Sequence, residues 1–101
     1  MKNQMRIDVI LAGQKALIGS IIPNIRAVFA EWTELSITLS IIYDGAITKS
    51  DEEEAEVIAR KLQQQFSDVS VTTHYRRIDF PEALPVIQPS DQCTVLYLRK
   101  E

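Results

Sequence analysis

The spacing of apolar positions changes several times along the chain, and each change marks an element. Over residues 5–20, Ile7, Ile10, Leu11, Leu17, Ile18 and Ile21 recur at steps of three, four or seven. That is the helical period, and it predicts an apolar stripe facing a core, with Asn3, Arg6, Gln14 and Lys15 off it. Gly19, Ser20 and Pro23 end this helix, because proline has no N–H to donate and disfavours helix at the residue before it. Residues 25–32 (IRAVFAEW) alternate only loosely. Ile25, Ala27 and Phe29 share one side, and Arg26, Val28, Ala30 and Trp32 the other. Both sides are partly apolar, as in a central strand with its second face at least half covered. A short link, Thr33-Glu34-Leu35, suits a hairpin.

Residues 36–43 give the clearest strand: Ile37, Leu39, Ile41 and Tyr43 point one way and Ser36, Thr38 and Ser40 the other. Asp44-Gly45 supplies a turn. A second helix is expected to open at Ser50, whose spacing to Glu53 is that of a capping box. Ala55, Ile58, Ala59, Leu62 and Phe66 form its stripe, and Ser67-Asp68 closes it. Residues 69–78 (VSVTTHYRRI) are rich in β-branched and aromatic side chains and predict a third strand. Residues 80–91 carry Pro81, Pro85 and Pro89 and read as an irregular loop, with Leu84-Pro85-Val86-Ile87 tacked against the body. Residues 93–99 (CTVLYLR) are the last strand.

The order α-β-β-α-β-β, with short links between strands, predicts an α+β fold. We expect one domain over residues 1–101, a mainly antiparallel four-stranded sheet, and two helices packed on one face. The other face would expose Arg26, Trp32, Thr38 and Ser40. The last strand is the expected uncovered edge, open to sheet extension and so to a possible homodimer.

Composition narrows the function classes more than it names one. At 101 residues with 46% hydrophobic and 25% charged positions, the chain is a globular domain rather than a disordered segment. Its net charge of −3 argues against a general nucleic-acid binder, since such domains carry a basic stripe. A lone cysteine, Cys93, has no internal partner for a disulfide, which fits a reducing, cytoplasmic compartment. Lys2, Arg6 and the apolar residues after them superficially resemble a short signal sequence. Asp8 interrupts it, and no run is long enough to span a bilayer, so no membrane role is expected.

Catalytic chemistry is not suggested. His74 is the only histidine and reads as a surface strand residue, and Cys93 as a structural thiol. There is no Cys or His cluster for zinc, no phosphate loop and no calcium loop, so neither metal nor cofactor is expected. What remains is charge. Asp44, Asp51, Glu52, Glu53, Glu54 and Glu56 have only Lys49 among them as an opposing charge. Carboxylates in a first helical turn suit the helix dipole, but one or two suffice, and the surplus repel one another. These six residues are therefore candidate partner contacts, able to steer a basic protein. Trp32 joins them as a candidate interface anchor. A secondary basic cluster of Arg76, Arg77 and Arg99, with Lys100, Tyr75 and Tyr97, would suit an anion or stacked bases.

Five stretches carry a family resemblance. They are Pro23-Asn24-Ile25-Arg26-Ala27-Val28, Ile42-Tyr43-Asp44-Gly45, Asp51-Glu52-Glu53, Arg77-Ile78-Asp79-Phe80-Pro81-Glu82 and Leu96-Tyr97-Leu98-Arg99-Lys100. In that order the chain resembles small bacterial immunity proteins of contact-dependent growth inhibition and related polymorphic toxin systems, in the group paired with ribonuclease-type toxins. The resemblance implies a non-enzymatic protein that binds a cognate toxin nuclease domain in the cytoplasm and blocks its active site. The acids around Asp44 and Asp51 to Glu56 would then mimic substrate charge. Two other classes stay open: a homodimerising regulatory module, and a small-ligand or nucleic-acid binder using the basic and aromatic strands.

Overall fold

Residues 2–19, 23–85 and 92–101 are described by the structure, a computed structural model. In chain order they form helix α1 (Lys2–Leu17), strands β1 (Ile25–Trp32) and β2 (Ser36–Tyr43), helix α2 (Lys49–Gln63), and strands β3 (Ser70–Arg77) and β4 (Cys93–Leu98). Element order and α+β class are as expected from the pattern. The strands make one sheet in the order β3-β2-β1-β4. β1 pairs antiparallel with β2 and with β4, whereas β2 pairs parallel with β3. The sheet is thus mixed. A tight link reverses the chain between β1 and β2, while the longer crossover through α2 returns it in the same direction.

Both helices cover one face of the sheet. Ile37, Leu39, Ile41 and Tyr43 of β2 point into the main core with Ala55, Ile58 and Leu62 of α2, as their alternation and helical spacing predict. α2 starts earlier than expected. Its N-cap is Thr48, whose hydroxyl accepts from Asp51 N at 3.1 Å while Asp51 Oδ2 accepts from Thr48 N at 2.9 Å. This capping box satisfies two of the helix's orphan donors, so Thr48 and Asp51, not Ser50 and Glu53, form it.

α1 turns a different side to the core than its large aliphatics predict. Val9, Ala12, Ala16 and Leu17 are buried, while Ile7, Leu11 and Ile18 are exposed, Leu11 by 65%. The cause is close approach to the sheet. A Cβ placed on Gly13 would lie 2.6 Å from Leu96 Cδ1 of β4, so only small residues fit along this contact. Ile21 falls outside the described residues.

β1 also departs from strict alternation. Its register with β2 shifts between Ile25 and Ala27, which makes Arg26 the extra residue of a bulge. Ile25, Val28, Ala30 and Trp32 therefore all face the helices, while Ala27 and Phe29 join Ile42 and Ile78 in a smaller cluster on the other face. Leu84 packs against that cluster; Val86 and Ile87 lie outside the described residues. The expectation that Arg26 and Trp32 are exposed is corrected, at 2% and 4% exposure.

β3 and β4 are the two edges. β4, the edge expected to be uncovered, is partly covered from outside by α1. Gln14 Nε2 donates to Leu96 O at 2.8 Å, and Arg6 donates to Cys93 O at 3.4 Å. No helix among the described residues is long and apolar enough to cross a membrane.

Candidate functional site

The acidic residues singled out by the sequence divide into two sets, one bonded within the fold and one left over. Asp51 belongs to the first. It is 7% exposed and, besides capping α2, it accepts from Asn24 Nδ2 at 3.2 Å. The Thr48 backbone N–H, aided by Asn24, holds its carboxyl below the usual range against the opposing effect of burial. Tyr43, fully buried at the end of β2, donates to Asp51 O, so α2's first turn is locked to the sheet.

Asp44 is also bonded internally. It accepts from Arg99 at 3.0 Å and from Phe80 N at 3.2 Å. Gly45 follows it with φ +88, a conformation that favours glycine, and donates its N–H to Asp79 at 2.8 Å. Around this turn the charges neutralise one another. Arg77 pairs with Asp79 at 2.9 Å, and Arg99 bridges Asp44 and Glu101. Glu101 in turn holds Arg26 through two bonds of 2.6 and 2.7 Å, while Arg26 also donates to Ile78 O. The Arg26 hydrogen bond is the main reason the Glu101 carboxyl lies down at about 2.

Within the secondary basic cluster, Arg77 and Arg99 are each paired with an aspartate around this turn. Arg76 is exposed on the face away from the helices, beside a shallow groove of about 320 Å³ that it lines with Phe29, Ser40, Ile42 and His74. Trp32 offers no surface to a partner, because it is in the core beneath the helices. Burial, then Glu31, pushes the Cys93 thiol up. Among the described residues no group of three or more His, Cys, Asp or Glu is placed to hold a metal ion.

The second set is Glu52, Glu53 and Glu54, all exposed, whose side chains make no hydrogen bond or ion pair among the described residues. Glu56 extends the row toward the sheet edge. It accepts from the Tyr75 hydroxyl at 2.9 Å and from Thr73 at 3.4 Å. Burial, reinforced by Glu56 and Glu52, pushes the Tyr75 hydroxyl up. The acids of α2 therefore stand next to β3, a juxtaposition the sequence does not disclose, since nothing in it pairs Thr73 and Tyr75 with α2.

Gln63 completes the geometry at this edge. Its side-chain amide accepts from Val71 N at 3.0 Å and donates to Val69 O, closing the first outward-facing peptide groups of the strand. Glutamine in a run of three at a helix end gives no sequence hint of such a task.

Comparison with known proteins adds the family. The model of the MafI2 immunity protein family matches residues 6–101. No curated protein matches the chain.

Proposed function

The chain belongs to the MafI2 immunity protein family, and on that premise we propose that it neutralises a cognate toxin of nuclease type by binding the toxin's catalytic domain in the cytoplasm, without catalysis of its own. The partner surface is the row Glu52, Glu53 and Glu54, continued by Glu56. One observation carries this reading. The cap of α2 is already made by Thr48 and Asp51, and the exposed carboxylates of Glu52, Glu53 and Glu54 make no hydrogen bond or ion pair among the described residues. Sites that hold phosphates are rich in Arg and Lys, and an exposed acid row complements them. Asp44, Asp51 and Trp32 act in this reading as scaffold, since their polar or apolar surfaces are spent internally.

The triple variant Glu52→Gln/Glu53→Gln/Glu54→Gln tests it. Association with the cognate toxin domain, followed by stopped-flow at low salt, should slow by roughly tenfold and become less salt-dependent, while dissociation changes little. Growth rescue in cells expressing the toxin should weaken in parallel. Association kinetics indistinguishable from the parent chain would remove the acid row from the interface.

A further inference from the structure

Parallel pairing makes alternate residues of β3 turn their N–H and C=O groups toward β2 and away from it. Two bonds at the ends of the pair fix the phase: Ser70 N donates to Leu35 O at 3.1 Å and Ile78 N to Tyr43 O at 3.0 Å. Thr72, His74 and Arg76 therefore face β2, and Val71, Thr73, Tyr75 and Arg77 face outward. Val71 N is taken by Gln63, which stands in for a neighbouring peptide. The N–H groups of Thr73, Tyr75 and Arg77 make no bond among the described residues, whereas the opposite edge, β4, is partly covered by Arg6 and Gln14. We propose that β3 receives an extended segment of the cognate toxin along Thr73, Tyr75 and Arg77, with Lys or Arg side chains of that segment lying over the α2 acids. The proposal rests on the reading of a toxin as partner and adds the mode of binding.

Charge selects the occupant. Thr73 and Tyr75 point to the helix face, where their hydroxyls reach Glu56. An added strand places alternate side chains on that same face, about 4.8 Å further out. There they meet Glu52 and Glu56, which favour cations. A second copy pairing antiparallel through β3 would bring its own α2 to the same face of the continued sheet, acid row beside acid row. Like charges at that distance oppose self-pairing.

Amide exchange followed by NMR on the full chain tests this, first alone and then with a catalytically inactivated cognate toxin domain. In the free chain Thr73, Tyr75 and Arg77 should exchange fast and Thr72, His74 and Arg76 slowly. Binding should slow the Thr73 and Tyr75 amides by about tenfold or more. Thr73→Pro removes an outward N–H without costing a ladder bond, and should weaken toxin binding about tenfold, while Thr73→Val, which keeps the N–H, should not. If Thr73→Pro does not fold, the exchange experiment decides alone. Toxin binding that leaves both amides fast overturns the proposal while sparing the reading beneath it, as does equal weakening by both variants. Protection that rises with the chain's own concentration in the absence of toxin overturns it in favour of a second copy. No binding of the toxin at all removes the reading and this inference together.

Discussion

Arg26 shows how one residue ties together parts of the chain that sequence reading treats separately. It occupies the bulge of β1, its side chain is 2% exposed, and its charge is matched by Glu101. A buried guanidinium is tolerated only when paired and hydrogen-bonded. Strict alternation assigns Arg26 to the same side as Val28, Ala30 and Trp32, and no glycine marks the bulge that separates them. The position of Trp32 was illegible for the same reason, since one inserted residue exchanges the faces of everything after it. The ion pair has a pH signature. Glu101 has a folded value of about 2 against an ordinary 4.5, so its contribution to stability is fully present above 4.5 and is lost as pH falls through about 2. Glu101→Gln should lower the Tm near neutral pH. In thermal unfolding followed by circular dichroism, the gap to the parent chain should close between pH 4.5 and 2. A gap of constant size down to pH 2 would show that the carboxylate's charge is not what stabilises Arg26.

The two helices differ in how plainly their sequences speak. α2 is amphipathic in the ordinary sense, and its buried residues Ala55, Ile58, Ala59 and Leu62 are those its period singles out. Both ends differ from expectation: the helix stops at Gln63, short of Phe66 and Ser67-Asp68, and its start lies earlier, because Ser50 to Glu53 and Thr48 to Asp51 have the same spacing. Asn24 and Tyr43, from other elements, favour the earlier pair. α1 is apolar on several sides, so period alone cannot choose between them. Its docking is decided by size, with Ala12, Gly13 and Ala16 toward the sheet and Leu11 in solvent. Gly13→Leu should therefore destabilise the chain by about 1–3 kcal/mol through overpacking against Leu96, although leucine is the better helix former. Leu11→Ala should stay within about 0.5 kcal/mol of the parent. Urea unfolding of both variants checks this, and the opposite ranking would mean that α1 packs on its large aliphatic face.

At the scale of the molecule, the strand order has a kinetic meaning. β1, β2, α2 and β3 are contiguous in sequence, joined by a tight hairpin and one crossover. β4 alone reaches back across the chain to pair with β1, as in Ala30 with Thr94, and closing so long a loop costs more entropy. The three-strand unit should form first and β4 should dock last. In stopped-flow experiments, Leu39→Ala in β2 should slow folding, whereas Leu96→Ala in β4 should mainly speed unfolding, each costing about 2–5 kcal/mol overall. A folding rate reduced equally by both would place β4 in the nucleus. Until β4 arrives, β1 is itself an edge, and IRAVFAEW is apolar on both sides with few charges. The strand that later lies at the centre of the sheet is thus the segment by which half-folded chains would aggregate, and β4 is what shields it.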